Sequence, residues 1–118
     1  MSASWTLEEA VDLCKRVEAI CPPFGCHVAL TGGTLYKNGE RKDCDLLFYR
    51  IRQTPIIEGA ELWEALEQIG LYKVKGCGWC HKAIYQPDVT DEYKRVDCFF
   101  PEAYDGSGPD GHQHTSGA

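Results

Sequence analysis

The stretch Asp43-Cys44-Asp45-Leu46-Leu47-Phe48 places the tightest limit on how this chain can fold. Its apolar residues read as a core strand, yet strands are depleted in Asp, and here two stand two residues apart. Side chains at i and i+2 of a strand point to the same face, about 7 Å apart at their roots. Asp43 and Asp45 therefore share a face with Leu47, while Cys44, Leu46 and Phe48 point into an apolar layer on the other side. Two carboxylates this close repel, and each raises the other's pKa unless a cation sits between them. Mg²⁺ suits such a place, because it takes oxygen ligands and keeps waters and substrate phosphates in its remaining sites. A third carboxylate, Asp97, lies in the middle of the apolar run from Val96 to Phe100, where an unpaired charge is expensive.

The elements around these aspartates follow from local signals. Thr6-Leu7-Glu8-Glu9 has the form of a capping box, with Thr6 as N-cap and Glu9 reaching back. Leu7, Ala10, Val11 and Cys14 then recur at helical spacing, and Pro22-Pro23 ends the element. A short strand over about 26–31 runs into Gly32-Gly33, followed by a polar hairpin with an Asn38-Gly39 turn signal. The second strand covers 43–51. A second helix over roughly 58–69 puts Leu62, Ala65, Leu66 and Ile69 on one face and stops at Gly70. Three further strands are expected over 71–75, 80–85 and 93–100. The order α-β-β-α-β-β-β predicts an α+β fold, a mixed sheet of about five strands with two helices packed on one face. Residues 1–100 form the expected domain. Residues 101–118 contain no Leu, Ile, Val or Met and read as a polar C-terminal tail, mobile or loosely laid on the surface.

Composition narrows the function. At 118 residues, 43% of them hydrophobic, the chain is long enough for one core and too short for two. The formal net charge of −6 leaves no broad basic surface to hold nucleic acid by phosphate neutralisation. The apolar runs are too short to span a bilayer, which speaks against a membrane role. The first 16 residues lack the basic start and apolar stretch of a signal peptide, so a cytoplasmic location is expected.

Seven cysteines, an odd count without an export signal, argue for reduced thiols. Cys14, Cys21, Cys26, Cys44 and Cys98 read as small buried apolar residues. Cys77-x-x-Cys80-His81 has the spacing of a haem attachment site, of half a zinc site or of a redox pair. Haem attachment needs export. A zinc site needs a second pair of ligands, which His112 and His114 would supply only if the tail folds back. A redox pair needs a helix start. A plain hairpin turn is the expectation, with neither haem nor zinc.

The segment Leu30-Thr31-Gly32-Gly33, a spacer of nine residues and then Asp43-Cys44-Asp45 resembles the signature of the nucleotidyltransferase superfamily related to DNA polymerase beta. Asp97 matches the third carboxylate those proteins carry on a later strand, and the α-β-β-α-β order is similar to their core. The resemblance implies a transfer of a nucleoside monophosphate from an NTP to an acceptor, with Asp43, Asp45 and Asp97 as catalytic residues holding one or two Mg²⁺ ions. It implies that Gly32, Gly33 and Thr34 receive the triphosphate, with Arg41 and Lys42 offsetting its charge. The three carboxylates should then converge at one sheet edge beside Gly32-Gly33. Two departures stand out: the usual Ser after the first Gly is a second Gly, and no helical domain follows the core. Small members of this kind often modify a partner protein, so a protein acceptor joins an RNA end as a candidate. The competing expectation is a non-catalytic binding or regulatory module that retains the fold.

Overall fold

The computed structural model describes residues 3–32, 41–102 and 104–105. Helix α1 runs Leu7–Ile20 and opens on the expected capping box: the Thr6 hydroxyl accepts from the Glu9 amide at 3.2 Å, and the Glu9 carboxylate accepts from the Thr6 amide at 2.9 Å. Pro22–Phe24 forms a short 3₁₀ turn beyond its end. The buried stripe of α1 is Ala10, Leu13 and Val17, whereas Leu7 and Val11 lie at its margin, 38% and 37% exposed. The expected face is thus rotated, because Trp5, just before the cap, takes the core position at 1% exposure. Thr6→Ala removes the bond from the Glu9 amide to the Thr6 hydroxyl and is expected to cost about 1 kcal/mol, a Tm drop of roughly 3–6 °C by calorimetry. An unchanged Tm would mean that Trp5 alone fixes this helix end.

Strands β1 (Cys26–Thr31) and β2 (Asp43–Arg50) are followed by the two-residue β3 (Ile57–Glu58) and helix α2 (Gly59–Glu67). Then come β4 (Leu71–Cys77), β5 (Cys80–Tyr85), β6 (Lys94–Phe99) and β7 (Tyr104–Asp105). The main sheet has the order β1-β2-β6-β5-β4, with β2 and β6 parallel and the other neighbours antiparallel. This is the expected α+β architecture of five mixed strands and two helices. The Asn38-Gly39 hairpin lies outside the described residues.

Alternation along the inner strands divides the sheet into two faces. Cys44, Leu46 and Phe48 of β2 and Val96 and Cys98 of β6 are buried, while Asp43, Asp45, Asp97 and Phe99 stand on the other side. The helices contribute Leu13, Val17, Leu62, Trp63 and Leu66 to the same core. Each such large apolar side chain stabilises the fold by about 1.5–3 kcal/mol. Cys21, Cys26, Cys44 and Cys98 are buried in this core and Cys14 is half-buried against it, as their apolar reading requires. Among the described residues no helix is long and apolar enough to cross a membrane.

The expected boundary after residue 100 does not hold for the first residues beyond it. Tyr104–Asp105 pairs in parallel with β3, and the Tyr104 ring lies 4.4 Å from that of Phe100. The Tyr104 hydroxyl accepts a 3.0 Å hydrogen bond from the Trp63 indole. A lone aromatic in a polar segment carries no periodicity, so the sequence pattern missed it. His112 and His114 lie outside the described residues.

Candidate active site

The parallel pairing of β2 with β6 sets Asp45 directly opposite Asp97, and Asp43 opposite Arg95. Both strands are inner ones, so the carboxylates stand on the open face of the sheet and not at its edge, as had been expected. Chain topology is the reason: β4 and β5 add outside β6 and make it a central strand. Asp43, Asp45 and Asp97 line one open cleft of about 450 Å³ together with Arg41 and Lys42.

Arg41 is fixed in that cleft by its backbone. Its amide donates to the Trp5 carbonyl at 2.8 Å, and its carbonyl accepts from the Trp5 amide at 2.6 Å. Trp5 is itself pinned by its indole N–H, which donates to the Arg95 carbonyl at 2.7 Å. A tryptophan ahead of a helix cap therefore ties Arg41 to the strand that carries Asp97. No motif announced this link, which depends on residues about 35 and 90 positions apart meeting in space.

Gly32 packs against the Asp45 side chain. It has φ +73°, and a Cβ at this position would collide with the Asp45 carboxylate. The backbone of the glycine turn thus lies against the aspartate itself, an approach only glycine permits. Gly33 and Thr34 lie outside the described residues.

The electrostatics are those of crowded acids. Burial, then the charges of Asp97 and Asp43, push the Asp45 carboxyl above its ordinary value, with Lys82 and Arg41 opposing. Two cations that the motif did not include offset the flanking acids. Lys82 Nζ lies 3.0 Å from Asp97 Oδ1, and Arg95 Nε lies 3.1 Å from Asp43 Oδ1. Lys82 faces Asp97 across β5 and β6, so only the register reveals it. Arg95 was legible as the i−2 neighbour of Asp97 on one strand face.

A raised carboxyl pKa has a definite linkage sign. The folded state binds the proton more tightly than the unfolded chain, so stability falls as pH rises through the raised pKa. The stability lead of Asp45→Asn over the wild type should therefore be full at pH 7. It should shrink as pH falls toward 3.8, the ordinary aspartate value, in urea titrations at several pH values. A lead that is constant with pH would show that Asp45 charge is not its source.

The three carboxylates offer the hard oxygen donors that Mg²⁺ takes, and their excess charge favours a cation. Among the described residues, however, no three His, Cys, Asp or Glu side chains already stand grouped as a ligand set. Asp43 and Asp97 are engaged by Arg95 and Lys82 instead. The donor set fits the metal in kind, and all three carboxylates line one cleft, but they do not stand assembled as a ligand group.

The rival motif forms the expected hairpin, with Cys77 and Cys80 in register across the tip of β4 and β5. His81 is buried among the rings of Trp63, Phe100 and Tyr104. Burial raises the Cys44 and Cys98 thiols above their ordinary value, so they are poor nucleophiles.

No family model matches the chain, and no curated protein is found similar to it. Solved structures are similar to it in fold. Polymerase beta of Leishmania infantum in a ternary P/T complex superposes with a TM-score of 0.60 at 15% identity, over 86% of this chain and 44% of that one. The same enzyme in a ternary gap complex gives a TM-score of 0.63 at 14% identity, over 86% and 39%. The chain thus spans less than half the length of these neighbours. At such identity the likeness is one of fold alone: the domain has an α+β core folded like that of these polymerase beta structures.

Proposed function

We propose that the chain is a metal-dependent nucleotidyltransferase of the polymerase beta-like superfamily, moving a nucleoside monophosphate from an NTP to an acceptor hydroxyl. The observation that carries this reading is the pairing of Asp45 with Asp97 on adjacent central strands, in one cleft with Asp43, Arg41 and Lys42. A surface with no ligand has little reason to hold Asp45 where burial and two neighbouring acids disfavour its charge.

Asp43, Asp45 and Asp97 would hold Mg²⁺, which when bound neutralises phosphate charge and stabilises the leaving pyrophosphate. Arg41 and Lys42 attract the triphosphate. The turn at Gly32 lets its backbone amide approach the phosphates, and the triphosphate role of Gly33 and Thr34 belongs to the same proposal. Asp97 takes the proton of the acceptor hydroxyl. The acceptor oxygen then forms a bond to the α-phosphorus, the bond from that phosphorus to the bridging oxygen breaks, and pyrophosphate leaves. The protein or RNA end named above remains a candidate acceptor, but net charge −6 weighs against one held along a broad surface.

One observation favours a second reading, a binding or regulatory module. Arg95 and Lys82 already neutralise Asp43 and Asp97 in this arrangement, as they would in a retired site. Thermal shift with Mg²⁺ and each NTP separates the two. Stabilisation that needs both metal and nucleotide supports the transferase, and its absence for all four NTPs supports the module.

A further inference from the structure

A second cleft, of about 400 Å³, shares Asp43 and Asp97 with the first and extends from them in the opposite direction, over β5 and β4. Its floor is apolar, made by Val74, Ile84 and Tyr93, and Val74 is 64% exposed. Its charged groups are Lys82 and Arg95 against Asp97 and Asp43, two cations balanced by two acids. The volume is that of a small-molecule site, and an apolar floor with few convergent polar groups is its usual composition.

We infer that this cleft is the acceptor pocket, and that it is an anion site gated by charge. It takes a small hydroxyl compound with a flat apolar body and an anionic substituent. The body lies on Val74, Ile84 and Tyr93, and the anion binds Lys82 and Arg95. In the present arrangement both cations are spent on Asp97 and Asp43, at 3.0 and 3.1 Å. A divalent cation on the carboxylates competes for the same oxygens and releases Lys82 and Arg95 to the pocket. The nucleotide side therefore loads first, and the acceptor is received only afterwards. A ligand bound here has its hydroxyl beside Asp97, which both clefts share. The acceptor assignment and the opening of the gate by metal rest on the transferase reading, whereas the masking of Lys82 and Arg95 by Asp97 and Asp43 is independent of it.

Full-length protein with ¹³C-labelled methyl groups provides the test, with phenyl phosphate as the probe and the Val74 and Ile84 methyls as reporters. Wild type without metal should bind the probe weakly, and Mg²⁺ with a non-hydrolysable NTP should tighten binding roughly tenfold. Asp43→Asn/Asp97→Asn frees both cations permanently and should give the same roughly tenfold gain with no metal at all. Adding Lys82→Gln to that double variant should remove the gain. If the double variant folds and binds no better than wild type, the charge gate is wrong. If it gains as expected while Mg²⁺ and NTP neither stabilise nor tighten, the masked anion site stands, and the transferase reading falls together with the metal opening of the gate. A short single-stranded RNA that shifts the same methyls at lower concentration than phenyl phosphate would overturn the small-ligand assignment.

Discussion

Asp45→Asn is expected to raise the Tm of the nucleotide-free protein and to abolish its stabilisation by Mg²⁺·ATP. Asp45 is half-buried and directly opposite Asp97, and its charged form is disfavoured by burial and by both neighbouring acids. Like charges on adjacent strand positions cost on the order of 0.5 kcal/mol, so removing one should raise Tm by about 2–3 °C. The amide keeps the size and one oxygen but loses the charge that Mg²⁺ requires. Stability and ligand binding should therefore move in opposite directions, which loss of fold cannot imitate. Thermal shift with and without Mg²⁺·ATP reads both quantities in one experiment. A variant that melts lower than wild type would make Asp45 a structural residue, and one that still responds to Mg²⁺·ATP would place the metal elsewhere.

Gly32→Ala tests the packing of the glycine turn against Asp45. At φ +73° an alanine is in the left-handed region, at a cost of about 1–2 kcal/mol. Its Cβ also collides with the Asp45 carboxylate, whose side chain must rotate to make room. The expected result is a modest loss of stability with a loss of nucleotide affinity of roughly tenfold or more, since misplacing a reacting or ligating group by about 1 Å is severe. Gly25→Ala is the control. Gly25 has φ +90° and its Cβ would crowd the Ile56 carbonyl, so a comparable loss of stability is expected there. It lies at the opposite end of β1 from Gly32 and should leave nucleotide affinity unchanged. Equal effects of the two variants on binding would show that the turn at Gly32 acts only through overall stability.

The charge-gated pocket alters how the carboxylate cleft is understood. Ion pairs between exposed groups are weak, with values of about 0–1 kcal/mol. The Arg95–Asp43 pair is of this kind, with side chains 48% and 39% exposed, whereas Asp97 is only 17% exposed and gives up Lys82 cheaply only where another cation takes its place. The same pairs that make the cleft look neutralised can serve as a reserve of cations for a second ligand. This is why the ion pairs alone do not decide between the transferase and the binding module.

Local chemistry determined much of this protein directly from its sequence. Thr6 and Glu9 specify a helix start because a capping box is closed within one turn. The alternation in β2 and β6 assigns Asp43, Asp45 and Asp97 to the face opposite Cys44, Leu46 and Cys98, because strand side chains repeat every two residues. The fold type followed from the order of such elements, each recognisable from a window of a few residues.

What the tertiary structure alone decided depends on which strands become neighbours and in what register. The parallel pairing of β2 with β6 brings together Asp45 and Asp97, 52 positions apart in sequence, and makes both strands central. The register of β5 against β6 delivers Lys82 to Asp97, and Trp5 reaches both Arg41 and Arg95. Tyr104 returns to Trp63 and Phe100 from a segment with no apolar pattern. A sequence window senses propensity and periodicity within a turn or a strand. Pairing between distant segments is selected by burial of the whole sheet, and no short stretch of residues carries that information.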